Sequence, residues 1–171
     1  MTSLMYAASA PVFIRHLGNL ISLLDKARAH AEERKFSPDA YLSSRFAPDM
    51  LPFTKQVQIA ADNAKGCVAR LAGIEAPEFA DDETTLEQLK ARLQKTIDFV
   101  KSVPAEAFAG AEERPIELPL PHGEPLKMNG QVYLNGFALP NFYFHVTATY
   151  LLLREAGVAI GKRDFIGNFM G

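Results

Sequence analysis

Of the four histidines in this 171-residue chain, two stand where an acid–base or ligand-binding residue would have to stand. On a helix that turns about 100° per residue, Leu152 and Ala156 lie about 20° to either side of His145, with Phe142, Ala148 and Leu153 within about 80°. Asn141 and Thr149, one turn before and one turn after, share that side, while Thr147 and Arg154 point the other way. The pattern sets an imidazole in an apolar stripe, with an amide and a hydroxyl one turn away. A neutral imidazole needs one donor and one acceptor satisfied, so burying it without partners is costly. His16 repeats the case, with Val12, Phe13, Leu20, Leu23, Leu24 and Ala27 within about 80° of it. The two rings could meet at a polar interior pocket, or lie at different heights and never touch.

Two kinds of chemistry follow. In the first, His145 is an acid–base residue whose tautomer is fixed by Asn141 or Thr149, and these three with His16 line a small-molecule site. In the second, both histidines only complete hydrogen bonds inside a core. A metal centre wants three or four convergent His, Asp, Glu or Cys side chains. No His-x-x-x-His or His-Glu-x-x-His spacing occurs, so no metal ligand is assigned. No cofactor is expected; a divalent metal is left open but is not supported by the ligand spacing.

Other candidates read as structural. His30, near a helix end, and His122, beside Gly123, are expected to be solvated. Asp62 pairs with Lys65 at i,i+3 on an exposed face unless that helix is covered on both sides. Cys67 flanks an alanine stripe as a buried, inert thiol. Phe142, Tyr143 and Phe144 diverge by about 100° each and cannot all face the core, so Tyr143 is exposed or in a subunit contact. In Gly161-Lys162-Arg163-Asp164-Phe165 a salt bridge that anchors the tail is preferred over an anion site.

The elements that would position these groups are helical. An amphipathic helix spans 3–34, kinked at Pro11, which lies inside it. Ser37-Pro38-Asp39 caps a short helix through Leu42. A second long helix runs over 52–71, with Val57, Ala60, Ala61, Ala64, Val68 and Leu71 on one stripe and Gly73 as its stop. Asp81-Asp82-Glu83-Thr84 is expected to open a third, whose Leu86, Leu89, Leu93, Ile97 and Val100 recur at three- and four-residue steps until Pro104. Pro115, Pro119, Pro121 and Pro125 exclude a helix interior, so a small edge hairpin or extended excursion is read over 114–128. A helical segment at 130–137 precedes Pro140, the last helix spans 141–156, and 158–171 is a tail. Four long helices with short connections make an all-α, antiparallel four-helix bundle, one domain over 1–171. Two helical hairpins that dimerise would use the same elements.

Composition narrows the classes. Apolar residues make up 48% and charged ones 22%, which argues against disorder. The formal net charge of −2 gives no general pull toward nucleic acid or anionic membrane. One cysteine forms no internal disulfide, and there is no signal-like start and no uninterrupted apolar run of about 18 residues. A cytoplasmic protein is expected.

Pro11-Val12-Phe13-Ile14-Arg15 with Asn19-Leu20 and Leu24-Asp25-Lys26-Ala27 resembles the first helix of an uncharacterised bacterial domain-of-unknown-function family. That family lies in the superfamily of DinB-like and YfiT-like four-helix bundles. Gln56-Val57-Gln58-Ile59-Ala60, Asp62, Ala64-Lys65 and Ala69-Arg70-Leu71-Ala72-Gly73 are similar to its second helix. The most specific block is Leu139-Pro140-Asn141-Phe142-Tyr143-Phe144-His145-Val146-Thr147, continued by Tyr150, Leu153-Arg154, Gly157 and Gly161-Lys162-Arg163-Asp164-Phe165. The resemblance implies an up-down-down-up bundle, often dimeric, with a long connection between the second and third helices. Many superfamily members hold a divalent metal with three histidines, two of them spaced His-x-x-x-His, and some are thiol-dependent transferases. Here Thr149 and Asn141 flank His145 at four residues, so that triad is not carried over. The expectation is a small-molecule-binding, homodimeric protein. A structural or dimerisation protein, or a metal-dependent transferase or hydrolase with a degenerate ligand set, stand as alternatives.

Overall fold

A computed structural model of the chain describes residues 3–120 and 122–170; Met1, Thr2, Gly171 and the Pro121 of the expected hairpin lie outside the described residues. It is mostly helical. Leu4–Ala7 (α1) is followed by Ala10–Glu33 (α2), a 3-10 turn at Pro38–Ser43, Phe53–Ala72 (α3) and Leu86–Ser102 (α4). Pro115–Leu118 (β1) and Leu126–Asn129 (β2) pair antiparallel, Ile116 opposite Met128. Gly130–Val132 (α5), a π-helical stretch Tyr133–Ala138, Leu139–Glu155 (α6) and Lys162–Ile166 (α7) complete the chain.

Where the breaks fall differs from the expectation in three places, each for a local reason. Pro11 does not kink the first helix from within: the break comes at Ala8 and Ser9, and Pro11 sits in the first turn of α2, where its missing N–H costs nothing. α4 does not open on the acids at 81–83. Its N-cap is Thr85, whose hydroxyl accepts from Gln88 N while Gln88 Oε1 accepts from Thr85 N. The acids are free for ion pairs instead. Pro140 does not separate two helices either. The wider turns of the π stretch precede it, and backbone runs helical from Gly130 to Glu155 through the proline. The hairpin expected over 114–128 is present as β1 and β2.

One core gathers the apolar faces. Phe13, Leu17, Leu20, Leu23 and Leu24 of α2, Val57, Ala60, Ala61, Ala64 and Val68 of α3, Leu89, Leu93 and Val100 of α4, and Phe142, Val146 and Leu153 of α6 are all buried in it. Burying each large side chain contributes roughly 1.5–3 kcal/mol. Asp25 meets Lys90 at 2.6 Å and Arg28 meets Glu87 at 3.3 Å, so α2 and α4 run in opposite directions. Gln56 pairs with His145 and Asn63 with Asn141, so α3 and α6 do too. α3 packs on both α4 and α6, which leaves it buried nearly all round, Gln56, Gln58, Asn63 and Lys65 included.

By length and composition Leu4–Glu33 could cross a membrane, with a window of mean hydropathy 1.2. The expectation from uninterrupted apolar runs did not register this averaged segment. Its Phe13, Leu17, Leu20, Leu23 and Leu24 lie in the core described above, while Leu4 is exposed.

Candidate functional site

α3 and α6 carry the polar residues singled out on helical geometry. His145, 7% exposed, places Nδ1 2.7 Å from Gln56 Oε1. Gln56 Nε2 donates to the Leu51 carbonyl at 3.0 Å, and that bond decides which way the amide points. Oε1 therefore faces the ring, Nδ1 carries the proton, and Nε2 keeps its lone pair. Burial pushes the His145 pKa below its ordinary value, so the ring is neutral near neutrality.

The other expected partners go elsewhere. Asn141 does not reach the imidazole: its Nδ2 donates to Asn63 Oδ1 at 3.2 Å, and Asn63 Nδ2 donates to the Ala138 carbonyl at 2.7 Å. Thr149 turns its hydroxyl onto the backbone carbonyl of His145, 2.9 Å away. Neither residue fixes the tautomer; Gln56 does. A four-residue spacing along one helix favours contact with the helix's own backbone, whereas the facing helix supplied the imidazole's partner. His16 is buried as its pattern required, but against the rings of Phe142, Tyr143 and Phe165, with centroids 6.2, 5.2 and 5.6 Å away. Its Nδ1 is buried with no hydrogen-bond partner among the described residues, and burial, helped by Arg15, pushes its pKa down to about 4. The two histidines thus have different neighbours.

Sequence reasoning passed over Gln56 and Asn63. The signal was their seven-residue spacing, continued by Arg70, which puts all three about 20° apart in succession on one side of α3. Arg70 completes the row with Nη1 3.2 Å from the buried Tyr133 hydroxyl. Burial pushes that phenol up to about 12.

A groove of about 370 Å³ runs beside this seam, lined by Phe46, Met50, Tyr143, Phe144, Thr147, Ala148 and Leu151. Its lining is almost wholly apolar. Phe144 packs edge-on against His145, centroids 5.2 Å apart at 87°, and Leu51, whose carbonyl holds Gln56, adjoins Met50.

The remaining candidates settle as follows. His30 is half-buried rather than fully solvated: Nδ1 lies 2.6 Å from the Tyr41 hydroxyl, beside Phe36. His122 is exposed. Asp62 does pair with Lys65, at 3.0 Å, and also with Arg92 at 2.7 Å, because α4 covers that face. Cys67 is buried, and that burial pushes the thiol pKa up, as an inert role requires. Asp164 binds Lys26 at 2.7 Å and anchors the tail on α2, within the short helix α7 rather than a loop.

Among the described residues, no group of three or more His, Cys, Asp or Glu side chains is arranged to hold a metal. The set around His145 does not fit a three-histidine centre: its polar neighbours are Gln56 and Thr149, and both are engaged.

A family model described as "Domain of unknown function (DUF1993)" matches residues 5–166. The chain belongs to this family. A crystal structure described as a DinB family member protein from Shewanella denitrificans is 37% identical, with a TM-score of 0.89, covering 98% of the present chain and 94% of that one. No curated protein matches it. The DUF1993 chain is therefore a DinB-like protein of a domain family of unknown function, as its helix-one and His145 blocks led one to expect. The Asn63–Asn141 and Gln56–His145 pairs lie inside the matched region.

Proposed function

We propose that this DUF1993 chain is a cytoplasmic small-molecule-binding protein, folded as one domain over 1–171 in an up-down-down-up four-helix bundle. The opposed runs of α2 with α4 and α3 with α6, and the long connection from α3 to α4, support that topology. The ligand is a small apolar ring with one hydrogen-bond donor, seated in the groove between 46–51 and α6. The observation that carries this reading is the Gln56-fixed tautomer of His145, whose ring packs edge-on against Phe144, a residue of the apolar groove. An imidazole held neutral at this position is suited to accept a proton or hydrogen bond from such a donor. The probe is 1-naphthol, titrated while imidazole nitrogen resonances are followed by NMR. A saturable shift at His145 that Leu151→Glu abolishes is expected. Shifts confined to other surfaces, or unaffected by that substitution, would overturn the reading.

A second reading is favoured by one pattern on the same helix. Phe137, Phe144 and Leu151 recur every seven residues and face solvent, Phe144 56% and Leu151 46% exposed. That spacing suits a seam between two copies of a helix, hence a homodimer. Light scattering would then show a dimer that Phe144→Glu converts to a monomer; a wild-type monomer at high concentration excludes it.

A further inference from the structure

The 73–85 connection carries Glu75, Glu78, Asp81, Asp82 and Glu83 and no lysine or arginine. Beneath it, the seam of α3 and α4 offers Lys55, Lys65, Arg70, Arg92 and Lys95 against a single seam carboxylate, Asp62. The guanidinium of Arg92, 2% exposed, takes Asp81 at 2.9 Å, Glu83 at 2.9 Å and the Ala80 carbonyl at 2.9 Å from the connection, and Asp62 at 2.7 Å from α3. Lys55 binds Asp81 at 2.8 Å, and Gln58 Nε2 donates to Glu83 at 2.7 Å. Phe79 lies on the same cations, with Lys65 Nζ 4.1 Å and Arg92 Cζ 5.8 Å from its ring centroid.

This segment has no helix or strand of its own, so side chains rather than a backbone ladder hold it down. The fit is incomplete. Arg92 Nε and Gln58 Oε1 are buried with no hydrogen-bond partner among the described residues. Glu78 and Phe79 line both of two cavities, about 450 Å³ on the Lys65–Arg70 side and about 320 Å³ on the Arg92–Lys95 side. Lifting Phe79 would join them into one cationic cleft. Arg92 would not be stranded, because three of its four partners, and with them its cover, would leave together.

We infer that the α3–α4 seam is a binding site for an acidic peptide bearing an aromatic residue, occupied here by the chain's own 73–85 connection as a displaceable strap. The strap wins by tethering, which gives it an effective concentration in the millimolar range. A competitor in solution therefore meets a nearly closed site until the strap is weakened.

The probe is a fluorescein-labelled synthetic peptide with the sequence of 73–85, followed by fluorescence anisotropy. It should bind the Asp81→Asn/Glu83→Gln variant at least tenfold more tightly than the wild type, and adding Arg92→Gln should abolish that gain. No binding to the double variant, equal affinity for both proteins, or indifference to Arg92→Gln overturns the proposal. If the double variant fails to fold by circular dichroism, hydrogen exchange of the wild type decides. Amides of 79–83 that exchange faster in high salt while α3 and α4 stay protected support the strap; exchange only with global unfolding overturns it.

Discussion

Gln56 Oε1 accepts from His145 Nδ1 across 2.7 Å, and with the amide oriented by the Leu51 carbonyl this bond between α3 and α6 fixes the imidazole tautomer. It is also the link through which the 46–51 segment, by way of the Leu51 carbonyl, is tied to the helix that lines the apolar groove.

Removing one partner of that bond strands the other. Gln56→Ala should lower stability by about 1–3 kcal/mol, because a buried ring nitrogen and the Leu51 carbonyl both lose their partners. Replacing both residues by leucine should recover much of the loss, since apolar pairs of similar volume can match buried polar ones. Urea denaturation of Gln56→Leu, His145→Leu and the double variant gives the coupling. A Gln56→Ala loss under about 0.5 kcal/mol would show that the bond contributes little.

Acid should act through His16. The folded chain holds this pKa at about 4 against an ordinary 6.5. Between those values the unfolded chain binds the proton and the folded one does not, so stability falls as pH falls through the window and the His16 contribution levels off below about 4. His145, lowered by burial, pulls in the same direction. His16→Leu should therefore flatten the fall in denaturation midpoint from pH 7 to pH 4. Parallel wild-type and variant curves would refute the assignment.

Two glycines should respond oppositely to alanine. A Cβ at Gly130 would lie 1.9 Å from the Ala111 carbonyl oxygen, whereas one at Gly18, inside α2, would meet nothing within 4 Å. Gly130→Ala is expected to destabilise by about 1–3 kcal/mol through overpacking, and Gly18→Ala to stabilise by roughly 0.5–1 kcal/mol. Thermal melts of the two variants test both signs.

Apolar periodicity made the helices legible. Leu86, Leu89, Leu93, Ile97 and Val100 line α4 as their spacing required, and Gly73 ends α3 at φ +69°. Boundaries were less legible where one residue type has two uses. Asp81 and Glu83 suit a helix start, yet Arg92 and Lys55 claim them in the folded chain, and that competition is visible only once α3 and α4 are adjacent. Inward placement of His145 and His16 was readable from angle alone. Their partners were not, because Gln56 lies 89 residues away from His145 and only tertiary packing brings it there. The π stretch before Pro140 left no pattern in the residue types that a periodicity of 3.6 could reveal.

The strap also changes what the overall charge means. With five of the twenty acidic residues and none of the eighteen basic ones in thirteen positions, the other 158 residues hold fifteen acids against eighteen bases. The mildly acidic isoelectric point is thus an average over a cationic body and an anionic sash. A cation-exchange matrix, which senses a surface patch rather than the net charge, would engage the first of these only when the second swings clear.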